Sequence, residues 1–350
     1  MGGGARALEV GIYTFGDITA DPHGGKTVGV PQRYVEIVEA AKLADAAGLD
    51  VFGVGEHHRL DIAISSPAVV MAAIGAVTRR IRLASAVTIL SALDPVRVFQ
   101  DFASLDLVSG GRAEIIAGRG AFTESFPLFG YDLANYDALF AEHLELLSAL
   151  NRSERVTWRG RFRPPLDDAQ ISPRPFGGPL PIWIGVGGTL ESAERAGRLG
   201  FPLTLANISQ PPAKLAPQIA AYRRAGSAAG HAPQTLRVAV ASHLHLAPDA
   251  QVARDNFYPY YSAYFQSHAP KSSYLAAVPR ETFEARAAAT GPLFVGSPQQ
   301  IIDKVLYERE LFGHDRFIAQ VDTGGLPYRE VARVIESLAA DVAPALRRAG

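Results

Sequence analysis

The sequence predicts an α/β protein that folds as a single (β/α)8 barrel of the TIM type. Apolar segments alternate with segments of helical periodicity along the chain, which indicates a parallel sheet. The apolar segments are rich in β-branched residues and lack regular polar alternation, as is typical of strands covered on both faces. Eight such segments are present, the number that a closed barrel requires. We therefore expect one domain spanning residues 1–350.

The chain is predicted to begin with a strand, and each strand is followed by a helix. Tyr34, Ile37, Val38 and Ala41 are spaced so that they share one helix face. Several later helices are predicted to begin at a proline, which fits the first helical turn because its missing N–H is not needed there. The predicted strands are 8–15, 50–55, 81–90, 112–118, 180–186, 201–206, 236–246 and 317–321. The predicted helices are 34–44, 67–79, 95–108, 138–150, 190–199, 213–229, 298–311 and 328–346.

Two insertions account for the length in excess of the roughly 250 residues of an ordinary barrel. The first is predicted after strand four, at 151–179, where proline and glycine cluster. The second is predicted after strand seven, at 256–292, and is dense in aromatic residues, namely Phe257, Tyr258, Tyr260, Tyr261, Tyr264 and Phe265. It is either a lid that excludes water from a site or a packed surface subdomain, and the sequence favours neither.

The composition excludes several classes of function. With 34 basic and 35 acidic residues spread along the chain, no face is predicted for nucleic acid or for an anionic membrane. The absence of cysteine excludes disulfides, thiolate metal sites and a cysteine nucleophile, and it fits a cytoplasmic protein. No apolar stretch reaches the roughly 18 residues that a membrane span needs.

Unusual residues follow four of the predicted strands. In βα barrels the loops after the strands build the active site, so we expect these residues to lie at one rim. They are Glu56-His57-His58, Gly118-Arg119-Gly120, Gly185-Val186-Gly187-Gly188-Thr189 and Gln320-Val321-Asp322-Thr323-Gly324-Gly325.

The segment Gly187-Gly188-Thr189 leads directly into a predicted helix. Bare backbone amides and the positive end of the helix dipole would then face the rim, with Thr189 as the N-cap, and this arrangement favours a phosphate group. Leu190 stands where a dinucleotide fingerprint would have its third glycine, so a single phosphate is the better ligand. Arg119 could bind the same phosphate; alternatively it pairs with Glu124 or Glu191.

Only one of the adjacent His57 and His58 side chains can easily point into the barrel mouth, since neighbours in an extended segment diverge. We assign His57 to chemistry and His58 to structure. Glu56 would fix the tautomer of the imidazole or buttress the backbone.

A metal site is the main alternative, because His243 and His245 could join Glu56 and His57 around a divalent ion. The first strand carries Gly11-Ile12-Tyr13-Thr14 instead of the His-x-His of barrel amidohydrolases, so we do not expect a metal.

The residues from Ala84 to Arg97 resemble the bacterial luciferase-like flavin monooxygenases. So do Leu105-Asp106, Ser109-Gly110-Gly111-Arg112, Gly118-Arg119-Gly120 and Glu56-His57-His58. The likeness extends from strand one to Thr189, and the ending Gln320 to Gly325 is similar to members of the family outside the luciferases proper.

The resemblance implies roles for individual residues. His57, supported by Glu56, matches the catalytic histidine of the family, and Ala86-Val87 matches a non-proline cis peptide beneath the flavin ring. The residues expected to bind the cofactor are Ala86, Val87, Thr88, Gly118, Arg119, Gly120, Val186, Gly187, Gly188 and Thr189. Tyr13 and Phe15 are expected to line the mouth for a small apolar substrate.

The resemblance also implies a reaction. FMN, reduced by a transient partner reductase, would react with oxygen to give a flavin hydroperoxide, which oxygenates a small organic substrate. The luciferases carry a reactive cysteine where this chain has Gly118, so light emission is not expected. A homodimer formed through the helices after strands two and three is expected. The alternatives are a deazaflavin-dependent dehydrogenase, a flavin-binding protein without catalysis, and the metal-dependent hydrolase.

Overall fold

Eight parallel strands close into a barrel, which confirms the predicted fold class. The computed structural model describes residues 7–24, 27–268 and 278–349. Around the barrel the order is β1, β2, β3, β5, β8, β9, β10 and β12, and β12 pairs again with β1. These strands are Glu9–Thr14, Val51–Val54, Arg82–Ser85, Ala113–Gly118, Ile182–Val186, Leu203–Ala206, Val238–Leu246 and Arg316–Gln320.

Helices surround the barrel and bury its outer face. They are α1 (Val30–Ala47), α2 (Pro67–Val77), α3 (Pro95–Ser109), α4 (Ser125–Phe129), α5 (Tyr136–Arg152), α6 (Leu190–Leu199), α7 (Ala216–Ala228), α8 (Ala250–His268), α9 (Arg280–Ala287), α10 (Pro298–Phe312), α11 (Tyr328–Ser337) and α12 (Ala343–Arg348). Local signals fix their ends. Asp94 caps α3 by accepting hydrogen bonds from two backbone amides, and Ser297 with Gln300 forms a capping box on α10. None of the described helices combines the length and apolarity needed to cross a membrane.

Four local differences from the sequence prediction stand out. The predicted third strand, 81–90, is divided into β3 and the short β4 (Thr88–Ile89) by a cis peptide bond between Ala86 and Val87. The segment 151–179 contains an antiparallel hairpin, β6 (Arg155–Trp158) and β7 (Leu166–Gln170), outside the barrel sheet. An extra strand, β11 (Phe294–Gly296), pairs with β10. The predicted last helix is interrupted by a π-helical turn at Leu338–Val342.

The barrel interior is layered along its axis. At the amino end of the strands Arg316 is buried and donates to Glu9 and Glu114 at 2.6 Å each. Above this charged layer lies an apolar layer that includes Ile116 and Ile318. The charged and apolar layers fill the barrel below the cavity described next, which lies at the carboxyl ends of the strands.

Candidate active site

A cavity of about 290 Å³ opens at the carboxyl ends of the barrel strands. It lies among the predicted strand ends, and most of the residues expected there line it. The predicted residues on its wall are Tyr13, Phe15, Glu56, His57, Ala86, Val87, Gly118, Arg119, Gly120, Val186 and Gly187. Three more were named from the sequence in other contexts: Gly185 at a strand end, His243 as a metal candidate and Tyr264 in the aromatic insertion. The sequence did not indicate the remaining ones: Ile89, Ile116, Ala121, Phe122, Tyr136, Thr204, Ala206, Ile208, Ala241 and Ile318.

Three of the predicted cofactor residues lie outside this lining. Thr88 is buried in β4, where it pairs with β5. Gly188 and Thr189 lie just beyond Gly187, at the start of α6. Thr189 is the N-cap residue of α6 by position, but its side chain makes no capping bond and instead donates to Ser192 Oγ at 2.7 Å.

One end of the cavity is cationic and rich in hydrogen-bond donors. Arg119 donates to Ser192 Oγ at 2.8 Å and forms an ion pair with Asp137. It therefore contacts neither Glu124 nor Glu191, and Glu124 pairs with Arg59 instead. The amino end of α6 lies at the same place, because Thr189 and Ser192 stand at its start. The Arg119 guanidinium, the hydroxyl groups of Thr189 and Ser192 and the first backbone amides of α6 therefore meet there.

Arg195 on α6 adds a second guanidinium near this end. Its Nη1 lies 3.9 Å from the Asp137 carboxylate, to which Arg119 is also bound. Burial and the nearby positive charge of Arg119 lower the pKa of Arg195 below its ordinary value.

We call the group Arg119, Thr189, Ser192 and Gly187 the cradle. A Cβ atom at Gly187 would meet no other atom within 4 Å, so open space lies above its backbone.

Next to the cradle the Val87 side chain packs directly against two glycines, Gly118 and Gly185. A Cβ atom at Gly118 would lie 2.5 Å from Val87 Cγ2, and one at Gly185 would lie 2.9 Å from Val87 Cγ1. No larger residue fits at either position unless Val87 moves. The cis bond between Ala86 and Val87 agrees with the expectation drawn from the family resemblance.

His57 faces the cavity between two aromatic rings. Its ring centroid lies 4.6 Å from that of Phe15 and 4.9 Å from that of Phe122. Its backbone N–H donates to the Ile64 carbonyl at 3.0 Å, which fixes the segment after β2. The imidazole is therefore held in one place while one edge remains at the cavity wall.

His58 lies outside the cavity lining, beside Glu56, which lines the cavity together with His57. The His58 ring packs against Phe129 at 5.0 Å, and its Nε2 lies 3.7 Å from Glu56 Oε1. The same Glu56 oxygen accepts a hydrogen bond from the Ile89 backbone N–H at 3.3 Å. Glu56 thus ties the end of β2 to β4, which matches the buttressing role considered from the sequence.

The opposite wall contains buried aromatic and histidine side chains. Burial and the nearby Asp322 carboxylate raise the pKa of Tyr13 above its ordinary value of 10. Tyr264 of α8 reaches the cavity, and burial, followed by the charge of Asp17, raises its pKa well above 10. Both phenols are therefore protonated at neutral pH. The aromatic insertion both packs on the barrel, through Phe257 and Tyr261, and lines the site through Tyr264.

The residues considered for a metal do not form a metal site. His243 lines the cavity, whereas His245 stacks on Phe257 with ring centroids 5.2 Å apart. Burial lowers the pKa of His245 to about 4. Over the described ranges no group of three or more histidine or carboxylate side chains is placed to hold a metal ion.

Comparison with known proteins identifies the family. The sequence model described as luciferase-like monooxygenase matches residues 8–315 of the chain. The chain belongs to the luciferase-like monooxygenase family. It is a flavin-dependent oxidoreductase of the luciferase-like type, as the sequence predicted.

Relatives of the chain agree with this assignment. The oxygenase component of the flavin-dependent trigonelline monooxygenase of Acinetobacter baylyi is 24% identical over 342 residues, which cover 90% of each chain. The 4-hydroxyprotoasukamycin monooxygenase of Streptomyces nodosus subsp. asukaensis is 27% identical over 292 residues, covering 79% of this chain and 77% of that one.

Solved structures share the architecture. Monooxygenase RslO1 of Streptomyces bottropensis is 27% identical, covers 96% of this chain and 99% of its own, and has a TM-score of 0.83. The FMN complex of the oxygenating constituent of 3,6-diketocamphane monooxygenase of Pseudomonas putida is 20% identical, covers 97% and 98%, and has a TM-score of 0.77. A secondary alcohol dehydrogenase that depends on coenzyme F420 is 18% identical, covers 97% and 99%, and has a TM-score of 0.75. The last two likenesses concern the fold alone.

Proposed function

We propose that this luciferase-like protein binds FMN and is the oxygenase of a two-component system, using reduced FMN and oxygen on a small organic substrate. The observation that carries the proposal is that Arg119 and Gly187 of the cradle line the same cavity as His57. A phosphate-bearing flat cofactor would need such an anion site next to an apolar surface, which the Val87 side chain would provide.

The residues present fit FMN. Arg119 and Ser192 would hold its phosphate together with the amides at the start of α6, and Gly187 leaves room above the backbone. Gly118 and Gly185 leave Val87 as the surface available to a flat ring. FMN joins a phosphate to a ring system through a ribityl chain, and the cradle and Val87 would be the counterparts of its phosphate and its ring.

Reduced FMN would supply the reducing equivalents and the position at which oxygen is activated. The protein's own residues would bind and orient the phosphate, keep water out with Phe15 and Phe122, and hold the His57 imidazole at the wall. His57 would donate a hydrogen bond or a proton to the reacting oxygen. Glu56 would keep the segments after β2 and β3 in register.

A partner reductase is proposed because one relative is described as an oxygenase component. A deazaflavin-dependent dehydrogenase remains the second candidate, since a structure of similar fold depends on coenzyme F420. Titration with FMN, reduced FMN and F420 separates the two: we expect the tightest binding with FMN or its reduced form, and tighter binding of F420 would favour the dehydrogenase.

The cradle is tested by comparing FMN with riboflavin, which lacks the phosphate. Arg119→Met should weaken FMN binding about 10- to 100-fold, the value of a charge-assisted hydrogen bond, and leave riboflavin binding unchanged. Arg237→Met is the matched control. Arg237 is similarly exposed, pairs with Glu9 at 3.1 Å and stacks 5.0 Å from the Trp183 ring, but lies at the other end of the barrel. Equal losses for FMN and riboflavin would contradict a phosphate role for Arg119.

The role of His57 is tested separately. His57→Ala should leave FMN affinity nearly unchanged and remove oxygenation, measured as oxygen consumption and product formation with a general flavin reductase. Retained substrate turnover would show that His57 is not the chemical residue.

A homodimer is proposed through α2 and the adjacent α3. The sequence of α2 has no charged or polar side chain, yet Val69, Ala73 and Val77 are exposed on it. On α3, Leu107 and Val108 are exposed as well. Val69→Lys should convert a dimer to a monomer in light scattering coupled to size exclusion; a monomeric wild type would refute the proposal.

A further inference from the structure

The cavity wall that faces Ala86 is built by β10 and α8. Around the closed barrel β10 lies four strands from β3, so these two strands face each other across the mouth. His243 of β10 and Tyr264 of α8 are side by side on this wall, with ring centroids 5.5 Å apart and planes at 85°. Both side chains are almost completely buried.

No described residue on this wall is an arginine, a lysine or a carboxylate, although the charges of Asp17 and Asp322 act on Tyr264 from outside the cavity lining. Among the described residues that line the cavity, Arg119 is the only arginine or lysine and Glu56 the only carboxylate. Arg119 belongs to the cradle and is bound by Asp137 and Ser192, and Glu56 is turned toward Ile89. The neighbours of His243 and Tyr264 on this wall are apolar or aromatic, namely Tyr13, Phe15, Ile208, Ala241 and Ile318.

The two polar groups on this wall suit an uncharged ligand. Burial raises the pKa of Tyr264 well above 10, so its phenol donates a hydrogen bond throughout the neutral range. An imidazole such as that of His243 offers one donor and one acceptor when neutral. A carboxylate or sulfonate placed here would lose its hydration, would gain no arginine or lysine partner among the described residues of this wall, and would be repelled by Asp17, which is strongly unfavourable.

We propose that His243 and Tyr264 form the polar end of the substrate pocket, and that they select an uncharged molecule with an apolar body and one oxygen atom that accepts a hydrogen bond. This inference rests on the proposed function, because it names the substrate class of the same site. It assigns specificity to a residue of the inserted helix α8, on the opposite side of the cavity from the cradle.

The test uses pairs of compounds that have nearly the same shape and differ in charge. Binding of acetophenone against benzoate, and of cyclohexanone against cyclohexanecarboxylate, is measured by isothermal titration calorimetry on the FMN-saturated and the flavin-free protein. The uncharged member of each pair should bind at least about tenfold more tightly, since the carboxylate loses hydration without a cationic partner.

Tyr264→Phe removes only the hydroxyl group and should weaken binding of the uncharged compounds roughly 3- to 10-fold without changing FMN affinity. Tyr261→Phe is the matched control, because Tyr261 lies on the same helix and its hydroxyl accepts from Arg286 at 2.9 Å, outside the cavity lining. It should leave the binding of all four compounds unchanged.

Three results would overturn the inference: carboxylates that bind as tightly as the uncharged compounds, no binding of either class, or equal effects of Tyr264→Phe and Tyr261→Phe. Failure of the proposed function has a different signature. If FMN does not bind at all, the flavin-free measurements still decide whether His243 and Tyr264 select uncharged ligands.

Discussion

Asp322, just after β12, is expected to make the stability of the protein depend on pH in an unusual direction. Its side chain is almost completely buried and accepts a hydrogen bond from the Thr14 hydroxyl group. Burial outweighs the favourable charge of Arg33 and raises the pKa of Asp322 from 3.8 to about 6. The folded protein therefore binds the proton of this carboxyl group more tightly than the unfolded chain does.

The sign and the size follow from this difference. Because the folded-state pKa is the higher one, ionising Asp322 destabilises the folded protein as pH rises from about 4 to 6, and the full effect persists above that range. A difference of about two pH units at about 1.36 kcal/mol each amounts to about 3 kcal/mol. Asp322→Asn has no charge to desolvate and keeps an oxygen that can accept from Thr14.

We expect Asp322→Asn to be more stable than the wild type by about 3 kcal/mol at pH 8 and by only about 1 kcal/mol at pH 4.5. Urea denaturation followed by tryptophan fluorescence at both pH values measures this, and other titrating groups cancel in the comparison. Thr14→Val removes the hydrogen bond that favours the ionised carboxyl group, so it should raise the pKa of Asp322 and move the pH range over which stability falls to higher pH. A stability difference that is the same at pH 4.5 and pH 8 would refute the reasoning.

Two further predictions concern packing and charge. Gly118→Ala should lower the free energy of unfolding by about 1–3 kcal/mol and weaken FMN binding, because the added Cβ lies 2.5 Å from Val87 Cγ2. The control in thermal denaturation is Gly29→Ala, whose added Cβ meets only a proline carbon at 3.9 Å. Equal denaturation midpoints for the two variants would contradict the prediction. Arg316→Met should cost about 3–5 kcal/mol in urea denaturation, because Glu114 loses its principal buried partner. Adding Glu114→Gln should recover part of that loss, and no recovery would argue against an electrostatic origin.

The sequence predicted all eight barrel strands because each is a continuous apolar run covered on both faces. It missed β7 because Leu166–Gln170 is mostly polar and exposed, so its pairing with β6 is not encoded in an apolar pattern. It joined β3 to β4 because the residues between them are as apolar as the strands. The two strands are separated at the cis peptide bond between Ala86 and Val87, and the hydrophobicity pattern of the sequence does not reveal such a bond.

Several of the site residues predicted from the sequence share one property: they lie just after the end of a strand and stand beside glycine or histidine. Arg119, Gly187 and His57 are of this kind. The partners of Arg119 could not be found in this way. Asp137 and Ser192 lie at the starts of α5 and α6, where acidic and hydroxyl residues are common for reasons of helix stability alone.

The same contrast explains why the sequence predicted most residues of the proposed cofactor end but only Tyr13 and Phe15 of the opposite wall. The cradle depends on backbone amides and on glycines that no other residue can replace, so it leaves a visible pattern. The opposite wall depends on ordinary side chains, such as Tyr264, whose direction is decided only when α8 packs on the barrel. Substitutions on that face of α8 should therefore change which substrate is bound while leaving FMN affinity intact, because no α8 residue belongs to the cradle.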